Sequence, residues 1–468
     1  MSIRLPTYGS RKAAPVAWLG EMPSHWNIAP GFAVFTEKHT KNRGLVEKTV
    51  LSLSYGRIVI KPSDRLHGLV PESFETYQII EPDDIIIRPT DLQNDWNSLR
   101  VGIAHDRGII TSAYMCLKTR EPMLPEYGYL LLHTYDLKKI FYGLGSGLRQ
   151  NLDFNDLKRL PMMVPPLEEQ VHIVTFLTKI GRKINRLIQS KQRLITLLEE
   201  QKQAIIHHTV TRGLNPGVRL NPSGLHWLED VPEHWMIAQL RRRFEIVDCK
   251  HLTVPFIDVG VPLASVREVQ RFEVTLDNAK RTTEEWYQQL IEGGRQPQPG
   301  DLIYCRNVSV GACALVTTSA PLAMGQDVCL IRSATENGRF LNYFMRSSAM
   351  KRQLAQILIG STFSRINISE IKSLLAVFPP LEEQLAIAEY LDDALRSTEY
   401  TITSAQRQVS LLREYRTRLV ADVVTGQLDV RGVALPPLPD LGAEDPDTDL
   451  DDAESADLLE AAEALDEE

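Results

Sequence analysis

The sequence predicts an α+β protein: two globular domains of mixed helix and strand, two long helices that pair as a coiled-coil spacer, and a disordered acidic C-terminal tail. Three observations predict it. First, Pro165-Pro166-Leu167-Glu168-Glu169-Gln170 returns as Pro379-Pro380-Leu381-Glu382-Glu383-Gln384, a shift of 214 positions. Each copy opens about forty residues that hold no proline and, Gly181 apart, no glycine. Second, a lead-in of Trp18-Leu19 and Pro23-Ser24-His25-Trp26 returns at a shift of 209 as Trp227-Leu228 and Pro232-Glu233-His234-Trp235. Third, the chain from Ala434 to Glu468 carries 14 Asp and Glu and no Lys or Arg. A repeat this long duplicates a domain with its helix, since solenoid periods run at roughly 20–50 residues. The expected layout is a first domain with its lead-in over 1–165, a helix over 166–213, a second domain over 214–379, a helix over 380–430 and a tail over 431–468.

In the lead-ins, His25 and His234 read as packing or capping residues beside tryptophans docked on the domain that follows. From Phe32 to Pro161, short β-branched runs alternate with turns. Thr49 to Ile60, Ile85 to Arg88 and Gly108 to Lys118 read as strands, and Glu126 to Phe141 as helix. The second copy has the matching order, with strand-like Val261 to Val269, Asp301 to Cys305 and Asp327 to Arg332, then helical Arg339 to Leu358. Between their shared ends the two domains differ almost everywhere, as expected of one scaffold carrying two surfaces.

The long helices carry heptad-like seams. In the first, Leu177, Ile184, Ile188, Ile195, Leu198 and Ile205 recur. In the second, Leu391, Leu395, Ile402, Val409, Leu412 and Leu419 do so. About forty residues at about 1.5 Å each make a rod of roughly 60 Å, whose apolar stripe would stand in water unless the helices pair. Gly213 with Pro216 beyond it ends the first helix, and Thr425-Gly426 the second.

The net charge is −8, but without the tail the remainder is +6, a mildly basic body compatible with nucleic acid. The tail, rich in Pro, Asp and Glu and free of aromatics, is expected to be disordered. No run of about 18 apolar residues suggests a membrane span, and the N-terminus shows no export signal. Five scattered cysteines without a CxxC pair suggest reduced thiols in a cytoplasm.

The joint pattern is PPLEEQ opening a long helix, then Thr211-Arg212-Gly213-Leu214-Asn215-Pro216-Gly217 leading into Trp227 and Pro232-Glu233-His234-Trp235. Present twice over, it resembles the DNA-specificity subunits of type I restriction–modification systems, across about residues 10–430. The acidic tail departs from that family's usual end. The resemblance implies two target-recognition domains, each reading one half of a split, asymmetric sequence in double-stranded DNA. It also implies that the two helices pack antiparallel as a spacer fixing the gap. Two modification subunits that methylate adenine would dock on this scaffold, with restriction (motor-nuclease) subunits able to join them. S-adenosylmethionine, ATP and Mg are then expected only on those partners, and this chain is expected to hold no cofactor and to do no chemistry.

Residues suited to reading DNA are polar or basic groups in loops between strands. In the first domain they are Lys41, Arg43, Ser54, Tyr55, Arg57, Arg88, Thr90, Gln93, Asn94, Arg100 and, ending a glycine-rich loop, Arg149. In the second they are Ser265, Arg267, Arg306, Asn307, Ser309, Thr362, Ser364 and Arg365. Catalytic patterns are missing: there is no (D/N)PP(Y/F), no GxGxxG and no GxxxxGK[ST]. Glu370-Ile371-Lys372, like Asp156-Leu157-Lys158, begins a short helix, and adjacent His207 and His208 point about 100° apart and cannot chelate together. No metal site is expected. Two alternatives stand: a protein-binding scaffold that does not touch DNA, and a specificity subunit of a methylation-only phage-defence complex.

Overall fold

The computed structural model describes residues 5–61, 73–96, 98–144, 151–358 and 365–433. The chain forms two compact units, Met1–Gln192 with Arg407–Glu468, and Arg193–Gln406. Each therefore holds one domain together with half of each long helix.

The first unit is built on an antiparallel four-stranded sheet in the order Phe35–Lys38, Met115–Thr119, Ile85–Ile87, Val101–Ile103. Ile85, Ile86 and Ile87 are all buried, so the apolar run does not alternate: both sheet faces are covered. Helix Pro125–Leu137 starts with a proline, whose missing N–H costs nothing at that position, and packs Tyr127, Leu131, Leu132 and Tyr135 into the same core. The second unit repeats the sheet as Glu245–Asp248, Val328–Arg332, Leu302–Cys305, Cys313–Leu315, again antiparallel. Each lead-in strand pairs with the strand that precedes a long helix: Asn27–Pro30 with Pro161–Val164, and Met236–Gln239 with Leu375–Phe378.

Several predicted elements divide. Gly108 to Lys118 is two strands, Gly108–Ile110 and Met115–Thr119, in different sheets. Arg339 to Leu358 is two helices, Gly338–Met345 and Ser348–Leu358. Thr49 to Ile60 contains a hairpin, Leu51–Ser54 with Arg57–Ile60. Tyr55 and Gly56 turn it with φ of 45° and 81°, the left-handed pair that a two-residue hairpin turn needs.

The repeated motifs now have a physical reason. Glu169 is buried and accepts hydrogen bonds from Tyr8 Oη (2.6 Å) and Trp26 Nε1 (3.0 Å), with His25 Nε2 at 2.7 Å from its other oxygen. Glu383 holds the equivalent pair, Trp235 Nε1 (3.1 Å) and His234 Nε2 (2.9 Å), on a single oxygen, Oε2. The next residue ties the helix to its own domain: Gln170 accepts from the Leu124 amide, and Gln384 from the Asn337 amide, both at 2.9 Å. Glycine closes each helix because its φ is positive, 76° at Gly213 and 68° at Gly426. A Cβ there would also crowd the rings of Trp235 (3.2 Å) and Trp26 (3.1 Å).

The long helices span Leu167–Arg212 and Leu381–Val424. In the first unit Ile184 and Ile188 bury against Val409, with Leu412 packed beside them, and Arg416 Nη1 donates to Asn185 Oδ1 at 2.9 Å. In the second unit Ile206 and Val210 share a core with Ile387, Leu391 and Leu395. In both, the early part of one helix meets the late part of the other, so the pairing is antiparallel. Leu177, Ile402 and Leu419 are buried as expected. Ile195, Leu198, Ile205 and Leu412 are only half-buried. At the end of the first helix, Ile206 and Val210 replace Ile205 as the buried seam, because 3.6 residues per turn drifts against a strict heptad.

Candidate nucleic-acid interface

In each domain a central strand is joined to the neighbouring edge strand by a loop at one end of the sheet, residues 88–100 in the first and 306–312 in the second. Backbone contacts tie each loop to the segment that precedes a short helix. In the first domain Leu152 N donates to Pro89 O (2.9 Å) and Asp91 N to Asn151 Oδ1 (3.1 Å). In the second, Asn307 and Arg365 form a β-bridge and Ile366 N donates to Arg306 O at 2.9 Å. The short helices Phe154–Lys158 and Ile368–Ser373 both begin with a capping box, which gives Asp156 and Glu370 their role.

Two expected readers are inside the protein. Arg100 is fully buried. Its guanidinium donates to the carbonyls of Thr90 (2.6 Å), Asp91 (3.1 Å) and Asp95 (2.7 Å), while Nε donates to Tyr142 Oη at 3.0 Å. Arg306 is 5% exposed, ion-pairs with Asp248 and donates Nε to Ile366 O at 3.5 Å. Both spend their donors on loop backbone or on a neighbouring strand, so the expectation that they reach base edges is corrected: they shape the loops.

The remaining candidates lie nearer the surface. Gln93 and Asn94 are exposed at the tip of loop 88–100, with Arg88 and Thr90 half-buried at its base. Asn94 Nδ2 donates to Asp91 Oδ1 at 2.9 Å, and Arg88 lies 3.6 Å from Asp95. Burial opposes ionisation of Asp95, but hydrogen bonds from Ser98 and the charges of Arg100 and Arg88 outweigh it and hold the carboxyl below its ordinary range. The hairpin turn bearing Ser54, exposed Tyr55 and Arg57 packs beside this loop. A Cβ on Gly56 would lie 3.2 Å from Leu99. Lys41 and Arg43 are exposed but sit beside residues 75–78 instead, through the Lys41–Gln78 bridge and a 2.8 Å bond from Gly44 N to Glu75. In the second domain Arg267 and Arg365 are exposed, while Ser265, Asn307 and Ser309 are half-buried. Arg149, Thr362, Ser364 and the tail from residue 434 lie outside the described residues.

The sequence reading passed over Trp96. It is 54% exposed at the tip of loop 88–100, and its ring stacks on Tyr142 at 4.5 Å and 30°. The available signal was an aromatic residue inside an otherwise polar loop. Among the described residues one group could hold a metal: Asp248, Cys249 and His251, whose ligand atoms lie within 4.8 Å of one another. Asp248 already pairs with buried Arg306, and burial pushes the Cys249 thiol up, away from the thiolate a metal would need.

Fold and loops together define a duplicated protein, with two like domains of mixed helix and strand that differ in their loops and two long helices that pair antiparallel. The family model "Type I restriction modification DNA specificity domain" matches residues 106–197 and 252–408, more than half of the chain, and the chain belongs to that family. It is 21% identical over 366 residues to the type I restriction enzyme MjaVIII specificity subunit of Methanocaldococcus jannaschii, covering 75% of this chain and 82% of that one. To the EcoBI specificity subunit of Escherichia coli it is 28% identical over 173 residues, 36% of this chain and 33% of that one. A chain solved to explain complex assembly and conformational transition of the type I R-M system shares the fold, with a TM-score of 0.62 at 15% identity, covering 87% of this chain and 99% of that one. As a specificity subunit this protein has no catalytic role of its own. Among the described residues no helix is long and apolar enough to cross a membrane.

Proposed function

We propose that this subunit reads a bipartite, asymmetric DNA target, one half through each recognition domain, while its paired helices set the gap between halves. The reading rests chiefly on one observation: the two domains share their sheet and their Glu–Trp–His anchor but carry unlike loops at the same sheet end. Unlike loops offer different donors and acceptors to different base edges, which a two-part asymmetric target demands. A helical connection keeps register along a duplex whose turn repeats every 34–36 Å or so, where a flexible linker would lose it. Two modification subunits would dock on this scaffold and hold S-adenosylmethionine. ATP and Mg would belong to restriction subunits where these join. The complex would work in the cytoplasm, on the DNA it reads.

The test is to map methylated bases across the host genome with and without this gene. The expected result is one split motif, modified only when the gene is present. A motif that persists without the gene, or one that is continuous, would contradict the reading.

A further inference from the structure

The polar loop 88–100 contains a fully buried guanidinium, whose donors the loop itself satisfies, and an exposed indole, which the fold leaves open to solvent. An exposed tryptophan leaves a large apolar surface in water, and such residues concentrate where a partner covers them. Trp96 is also held in place. One ring face lies on Tyr142, and Nε1 donates to Gln93 O at 3.1 Å. Tyr142 is fixed in turn: its hydroxyl donates to Asp95 O (2.9 Å), accepts from Arg100 Nε (3.0 Å), and the Arg100 guanidinium carbon sits 5.3 Å from its ring centre. Arg100 gathers the carbonyls of residues 90, 91 and 95 inward around one buried cation, which turns the side chains of the tip outward. Leu92, fully buried, anchors the middle of the loop. The corresponding loop of the second domain, 306–312, has no exposed aromatic: its exposed residue is aliphatic Val308.

We infer that Trp96 is a specificity-determining residue of the first recognition domain, placing its open face on the major-groove edge of one half-site, with Tyr142 and Arg100 as the positioning residues behind it. The inference rests on the DNA-reading function proposed above. The partner chemistry is duplex DNA presenting an apolar group, the thymine methyl being the one that the major groove offers. Binding to a tip already assembled loses little conformational freedom, so the contact's energy is retained as affinity, and discrimination comes from the thymine methyl, which only some sequences place there.

The experiment uses the full chain in complex with its modification subunits and a duplex bearing the motif found by methylation mapping. Two further duplexes each have one half scrambled, and a fourth has deoxyuridine for thymine in the half that the first domain reads. Trp96→Ala is expected to weaken binding to the intact motif about tenfold or more. The loss should persist when the second domain's half is scrambled, vanish when the first domain's half is scrambled, and shrink on the deoxyuridine duplex. Trp96→Phe, which can still stack on Tyr142, should retain part of the affinity and so separates contact from folding. Tyr142→Phe should lower the ratio of specific to scrambled binding without changing the salt dependence. Equal binding by Trp96→Ala and wild type, or an equal loss on every duplex, would overturn the inference while leaving the function intact. A wild-type complex that does not distinguish the motif from scrambled DNA would overturn both.

Discussion

The two recognition domains agree where they carry load and disagree where they meet solvent. Both run the same strand order and both fasten lead-in to helix through a glutamate that accepts from a tryptophan and a histidine. Their loops part company. Loop 88–100 is long, closed around buried Arg100 and tipped with Trp96, whereas loop 306–312 is short, with buried Arg306 reaching sideways to Asp248. Each loop fixes an arginine inside the protein, but only the first uses it to gather its own carbonyls. A duplicated scaffold has thus kept its joints while its loops differ, the pattern expected if, as proposed, those loops carry specificity and the scaffold carries the fold.

The sharpest way to break the comparison is at the joints. Glu169→Ala strands two buried donors, Tyr8 Oη and Trp26 Nε1, each costing about 1–3 kcal/mol, so the first unit should lose about 2–6 kcal/mol. Glu383→Ala strands a single donor, the indole N–H of buried Trp235, at a carboxylate that is itself 27% exposed and so open to replacement by water, and should cost about 1–2 kcal/mol. Urea unfolding of the two variants measures both, and equal losses would mean that the joints are not graded as their burial implies.

A second difference is the degree of acid sensitivity: burial depresses a histidine in each unit, His133 and His207, and does so more at His133. Burial, with nearby Arg416 adding to it, pushes His133 in the first unit down to about 4. A depressed histidine pKa means that the unfolded chain takes up the proton first. Its stabilising contribution is therefore complete above the unfolded value of about 6.5 and is lost as pH falls towards 4. The first unit should lose a few kcal/mol across that window, and His133→Phe should flatten the dependence measured by thermal melts. An unchanged slope would remove His133 from the account.

The smallest effect concerns phosphate. Lys41 and Arg365, exposed in the first and second domains, should each touch backbone rather than bases. Alanine at either should weaken binding to all duplexes alike and reduce the salt slope by about one. Sequence-dependent loss at Lys41 would move it among the readers, alongside Trp96.

Much of this scaffold was legible in the sequence because its signals are local or repeated. Helix starts and stops depend on a few adjacent residues, and PPLEEQ with Pro-x-His-Trp marks a bonded pair seen twice. The antiparallel pairing came through resemblance and is visible in which halves of the seams bury together. Interior arginines were not legible, since Arg88, Arg100 and Arg306 look alike in a polar loop until tertiary packing buries two of them. Trp96 was missed for the converse reason: a tryptophan is read as core unless its surroundings are weighed. The break in Gly108 to Lys118 depends on Thr111–Tyr114 turning the chain between two sheets, a choice made by partners distant in sequence.

The central claim is that unlike readers are held apart by a helical ruler, and lengthening the ruler tests it most directly. Seven residues of matching heptad pattern inserted into both long helices, after Gln192 and after Gln406, add about 10 Å to each. Methylation mapping in cells carrying this variant should show both half-sites unchanged and the gap between them wider by about three base pairs. An unaltered gap in a variant that still methylates would contradict the account.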